Sequence, residues 1–132
     1  DSIVKDVEAY LKRIKKLFNQ IEKKREKESF SRLSNAMVNS TKDALANANI
    51  KTSNLVFGLR KYCQQEGLPE SLVEDFKIFE KSKKDFKLNK ITKSELEKIK
   101  RQLRTYLRIL EEHQQRKEFL DVAKSKIRFK SI

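Results

Sequence analysis

The chain has 132 residues, of which 37% are hydrophobic and 39% charged, with two glycines and one proline. That length holds one modest core, and so few turn-forming residues exclude sandwiches and Rossmann-like sheets. Thirty-two basic against 19 acidic residues leave a net charge of +13, a field that favours polyanions: nucleic acid, anionic lipid or an acidic protein.

The composition predicts an all-α protein, an antiparallel bundle of four or five helices with long first and last helices, over residues 1–132 as a single helical domain. The chain opens on Asp1 rather than Met, which reads as a domain excised from a longer protein or a processed product. Apolar residues at Val4, Val7, Leu11, Ile14, Phe18 and Ile21 alternate steps of three and four, a heptad seam. Ile3, Tyr10 and Leu17 widen it along one flank, as expected of a helix buried between two neighbours. The stripe fades through the charged run at residues 22–28 and resumes at Phe30, Leu33, Met37, Leu45 and Ala48. The pattern leaves open whether residues 3–48 form one helix or two. Small uncharged residues over 33–57 suit close helix approach at the middle of the bundle, the alternative being a polar ligand-contacting face of Asn and Ser side chains.

Asn47-Ala48-Asn49 predicts a break, after which Thr52 or Ser53 would cap a short helix to about Gln65. Gly67 fits the position just past its end, and Pro69 the first turn of the next helix, which carries Leu72, Val73, Phe76, Phe79 and Phe86. Thr92-Lys93-Ser94-Glu95 reads as a capping box with Ile91 and Leu96 as its hydrophobic staple. From there Leu96, Ile99, Leu103, Tyr106 and Leu110 keep a second seam, continuing to Phe119, Leu120 and Ala123.

The excess charge is spread along the chain and densest at its C-terminal end, and three clusters of it stand out. Lys100, Arg104 and Arg108 recur every four residues on the last helix with Arg101 beside them, expected on the side away from Leu103 and Leu110. Glu97 would serve Arg101, and Glu111 and Glu112 would serve Arg108, leaving Lys100 and Arg104 for phosphates. The basic C-terminal tail, residues 124–132, adds Lys124, Lys126, Arg128 and Lys130, interleaved with Ile127 and Phe129. Whether helical, extended or frayed, it offers cations beside an aromatic ring that can stack on a base. Lys12, Arg13, Lys15 and Lys16 lie opposite the first seam.

Catalytic material is thin. The single histidine, His113, follows Arg108 by five positions, and Arg-x4-His resembles the ribonuclease motif of the HEPN family, small helical bundles that pair two such motifs across a dimer. That resemblance implies phosphate handling by Arg108 and proton transfer by His113. It covers six residues, with Ile109 apolar where the family's motif is polar. No phosphate loop, metal-ligand spacing or nucleophile elbow is present, so no cofactor or metal is expected. One cysteine, Cys63, excludes an internal disulfide and suits a reduced compartment. No run reaches the ~18 apolar residues of a membrane span, and the opening does not read as a signal peptide. The expectation is an intracellular protein, cytoplasmic or nuclear. It would be a non-enzymatic basic module binding nucleic acid ahead of an anionic membrane surface. The alternative is a protein–protein scaffold, self-associating or holding an acidic protein.

Overall fold

The computed structural model describes the backbone of residues 2–130 and the side chains of residues 2–126. Four helices follow one another, α1 (Ser2–Asn47), α2 (Leu55–Glu66), α3 (Ser71–Lys87) and α4 (Lys93–Lys130). No strand occurs among the described residues. The fold is all-α, with long first and last helices, as the composition predicts. Residues 3–47 lie in one uninterrupted helix. With neither glycine nor proline before Gly58, nothing breaks it, and the Glu, Lys and Arg of residues 22–28 are themselves good helix formers.

The helix ends share one device. Asn49, Gly67 and Asn89 each take a left-handed backbone, with φ of 59°, 68° and 56°. Behind them Ile50 N–H reaches Leu45 O, Leu68 N–H reaches Cys63 O and Lys90 N–H reaches Asp85 O, each at 2.9 Å. These are Schellman-type closures, which satisfy carbonyls a helix end would otherwise leave bare. Glycine and asparagine tolerate this conformation best. The start of α2 differs from expectation. Asn54, not Thr52 or Ser53, is the N-cap, its Oδ1 accepting from Phe57 N–H. Thr52 acts one step earlier, its Oγ1 accepting from Asn54 N–H at 3.1 Å. Pro69 precedes α3 rather than entering it, its carbonyl accepting from Leu72 N–H.

The chain divides into two compact units, Asp1–Arg32 and Leu33–Ile132. In the first, no side chain of residues 2–25 is buried. The seam expected to lie between two neighbours is instead open to solvent: Val4, Val7, Leu11, Phe18 and Ile21 are 48–62% exposed, as are Tyr10 and Leu17. Heptad spacing specifies a face that can be covered; it does not supply the cover.

The second unit holds most of the core. Met37, Ala44 and Leu45 of α1 are buried, as are Leu59, Tyr62 and Cys63 of α2. So are Leu72, Val73, Phe76 and Phe79 of α3 and Leu96, Leu103, Tyr106 and Leu110 of α4. The small-residue stretch is only partly covered: Ser34, Thr41 and Ala44 are buried, whereas Asn35, Asn39, Ala46 and Asn47 are exposed. Thr41 Oγ1 donates to Met37 O at 2.8 Å and stands 2.7 Å from the Tyr106 hydroxyl. The threonine has one proton, so Tyr106 donates to it, and a buried relay runs from α4 to the α1 backbone. The Tyr106 ring also meets Phe79 edge-on at 5.8 Å between centroids, a favoured aromatic geometry. Gly58 marks a close approach in this unit: a Cβ there would stand 2.5 Å from Thr52 Cγ2 and 2.8 Å from Leu45 Cδ1.

Candidate polyanion interface

The start of α4 is set by the expected capping box. Thr92 Oγ1 accepts from Glu95 N–H at 3.2 Å, and Glu95 Oε2 accepts from Thr92 N–H at 3.3 Å. Ile91 is half-buried and Leu96 buried. This fixes the helix phase, and with it the direction of every basic side chain that follows.

At 3.6 residues per turn, Arg101, Arg104 and Arg108 fall within an arc of about 60° on the side away from Leu103 and Leu110. All three are exposed. Lys100 does not join them. It stands four residues after Leu96 and three before Leu103, which places it on the flank of the apolar seam. Its side chain is only 7% exposed, with Nζ 3.8 Å from Glu97 Oε1. The aliphatic stem is covered and the ammonium reaches toward a carboxylate at the edge. The expectation that Lys100 lies on the wet side without a partner is therefore corrected.

That correction alters the charge balance of the ridge. Glu97, expected to neutralise Arg101, faces Lys100 instead. Glu112, expected to serve Arg108, lies 3.5 Å from Arg116 Nη2. Among the described residues no carboxylate stands within ion-pair distance of Arg101, Arg104 or Arg108. The three guanidinium groups are a smaller row than expected, and a less neutralised one.

Beyond Arg108 the character changes. A shallow surface groove is lined by Arg104, Leu107, Arg108, Glu111, Glu112 and Gln115, so acidic side chains close the basic row on this side. Phe119 and Leu120, where the second seam was expected to continue, are exposed, and Ala123 is half-buried. Lys124 and Lys126 are exposed and helical, since α4 runs through Lys130. Arg128 and Lys130 lie outside the residues whose side chains are described. Lys12, Arg13, Lys15 and Lys16 of the first unit are exposed, but helix phase sets Lys15 on the flank of the first seam rather than opposite it.

His113 faces elsewhere. Five residues after Arg108 on a helix is about 140° around the axis, so the two side chains of the Arg-x4-His pattern leave α4 in different directions. His113 Nε2 lies 3.4 Å from Glu66 Oε2, and its ring meets Tyr62 edge-on. Lys117 Nζ donates to the other oxygen of the same carboxylate. Glu66, in the last turn of α2, has a side chain only 13% exposed. The Lys117 hydrogen bond holds its pKa below the ordinary 4.5, against the opposing effect of burial, with His113 assisting. This clasp between α2 and α4 was invisible in the sequence, because its members stand 47 and 51 positions apart. Burial pushes the neighbouring Cys63 thiol up to about 11 and the Tyr62 hydroxyl up to about 12. Neither is a nucleophile at neutral pH.

Among the described residues no group of three or more His, Cys, Asp or Glu could hold a metal ion, and no helix is long and apolar enough to cross a membrane. No protein-family model, curated protein or solved structure matches this chain.

Proposed function

We propose that this chain is a non-enzymatic helical binding module whose ligand is a polyanion, with nucleic acid preferred. The observation that carries the reading is the row of Arg101, Arg104 and Arg108, exposed on one arc of α4, with Glu97 and Glu112 paired to other cations and only Glu111 and Glu112 lining the groove at its far end. Guanidinium groups grip phosphate through a planar fork and stay charged at every physiological pH. Arg104 and Arg108 are separated by about 6 Å along the helix axis, so they can meet successive groups of an extended polyanion. Phosphates carry no base identity, so a row that grips them would position a nucleic acid rather than read its sequence. Lys124 and Lys126 extend the same helix with further exposed cations.

The test is the salt dependence of binding. Changing Arg101, Arg104 and Arg108 together to Gln spares the core, because all three are exposed and Gln keeps good helix propensity. Each phosphate that is no longer gripped should flatten the slope of log affinity against log salt by roughly 0.7–0.9. The triple variant should therefore have a slope shallower by about 2–3 and bind all sequences more weakly alike. A folded variant with wild-type slope and affinity would overturn the reading. Stronger retention on anionic vesicles than on nucleic acid would transfer the row to a membrane surface.

A second reading, a helical adaptor, is favoured by a separate observation. The exposed seam of α1 is the longest uncovered apolar stripe on the described surface, and soluble proteins seldom leave such stripes open without a partner.

A further inference from the structure

We infer that the N-terminal part of α1 pairs with the same segment of a second copy of this chain, antiparallel, through its exposed heptad seam. The seam occupies a and d positions: Val4, Leu11 and Phe18 at a, Val7, Ile14 and Ile21 at d, all exposed save the half-buried Ile14. In an antiparallel pair each a layer meets a d layer of the other helix. Centring the pair between residues 12 and 13 sets Val4 against the partner's Ile21, Val7 against the partner's Phe18 and Leu11 against the partner's Ile14. The twofold axis repeats each layer, so every seam residue is covered and none overhangs. The paired segment is about 26 Å long.

The flanks decide the direction. The e positions hold Glu8 and Lys15, and the g positions hold Tyr10 and Leu17, all of them exposed. In the antiparallel register e faces e and g faces g. Glu8 then meets the partner's Lys15, and Lys15 meets the partner's Glu8, giving two symmetric ion pairs along one flank. Along the other, Tyr10 lies on the partner's Leu17 and the reverse, so these two apolar flank residues cover each other. A parallel pair sets g against e instead. It would place Tyr10 against Lys15 and leave both carboxylate and ammonium facing apolar side chains. Charge complementarity selects the antiparallel copy as the occupant, and e and g residues are those that set orientation in coiled coils. This pairing requires nothing of the arginine row on α4.

The experiment is sedimentation of the full chain over a range of concentrations, for the wild type and for Glu8→Lys and Lys15→Glu. Both positions are exposed, and circular dichroism of each variant checks that helicity is kept. The wild type should sediment as a dimer at high concentration. Each variant puts like charges at both ion-pair positions and should dissociate roughly tenfold or more readily. Mixing the two restores opposite charges at both positions, so the mixture should form a heterodimer at least as tight as the wild type. A wild type that stays monomeric at its highest soluble concentration overturns the inference. So does a trimer or tetramer, a pair of variants that associate as the wild type does, or a mixture that gains nothing.

Discussion

Glu66 shows how one side chain joins two helices and makes stability depend on pH. Its pKa is held below the ordinary 4.5, chiefly by the Lys117 hydrogen bond. A carboxylate with a lowered folded pKa contributes stability that is fully present above its unfolded value. That contribution is lost as pH falls through the folded value. Glu66→Gln should therefore unfold more easily than the wild type at neutral pH, and the gap should shrink as pH falls below about 4.5. Urea titrations at pH 7 and near pH 3 measure both; a gap that stays constant would mean that the carboxylate's charge is not what matters. Gly58 makes the opposite kind of statement, because what counts there is the missing side chain. Alanine in a helix interior is favoured over glycine by about 1 kcal/mol. Here its Cβ would meet Thr52 Cγ2 at 2.5 Å and Leu45 Cδ1 at 2.8 Å, and overpacking costs about 1–3 kcal/mol. Thr52 is stiff at Cβ and Leu45 is buried, so the clash should win. Gly58→Ala is expected to lower the urea midpoint, whereas a raised midpoint would show that Leu45 rotates away freely.

At the scale of elements, α4 is positioned by its first turn. The two reciprocal bonds of Thr92 and Glu95 should make Thr92→Ala less stable by roughly 0.5–2 kcal/mol, readable as a shift in urea midpoint at constant slope. An unchanged midpoint would mean that the first turn frays in solution. Helix phase then explains why the basic row is Arg101, Arg104 and Arg108 and does not include Lys100. Four-residue spacing advances about 40° beyond a full turn at each step. A row counted by fours therefore drifts around the helix, and the drift begins with Lys100 on the edge of the core. The capping box, the break at Asn49 and the glycine at 67 were all legible, because each is a local code of a few residues. Asn54 displaced the expected caps for a reason that is also local: Thr52 is occupied in receiving the Asn54 amide, which leaves Asn54 to receive Phe57.

For the whole molecule, the uneven distribution of burial is the main consequence. Residues 2–25 contribute no buried side chain, so removing residues 1–21 should leave the thermal and urea transitions of the remaining chain close to those of the full chain. The same deletion should abolish dimer formation, measured by sedimentation. A large fall in stability in dilute solution would show that the seam is covered within a single copy.

Composition and periodicity by themselves determined that this protein is helical and basic, and local codes marked the end of α1 near Asn49, the end of α2 at Gly67 and the start of α4 at Thr92. Those properties follow from backbone preferences, from spacing along one helix and from charge counts, which need no knowledge of distant neighbours. Which apolar stripe is covered was settled only in three dimensions. The first and second seams look alike in sequence, yet Leu11 and Phe18 are exposed while Leu103 and Leu110 are buried. Hydrophobic spacing states a demand for cover, and only packing shows whether the same chain meets it. The joining of Glu66 to His113 and Lys117 was decided in the same way, because an ion pair needs proximity and direction, and these arise when helices distant in sequence are brought together.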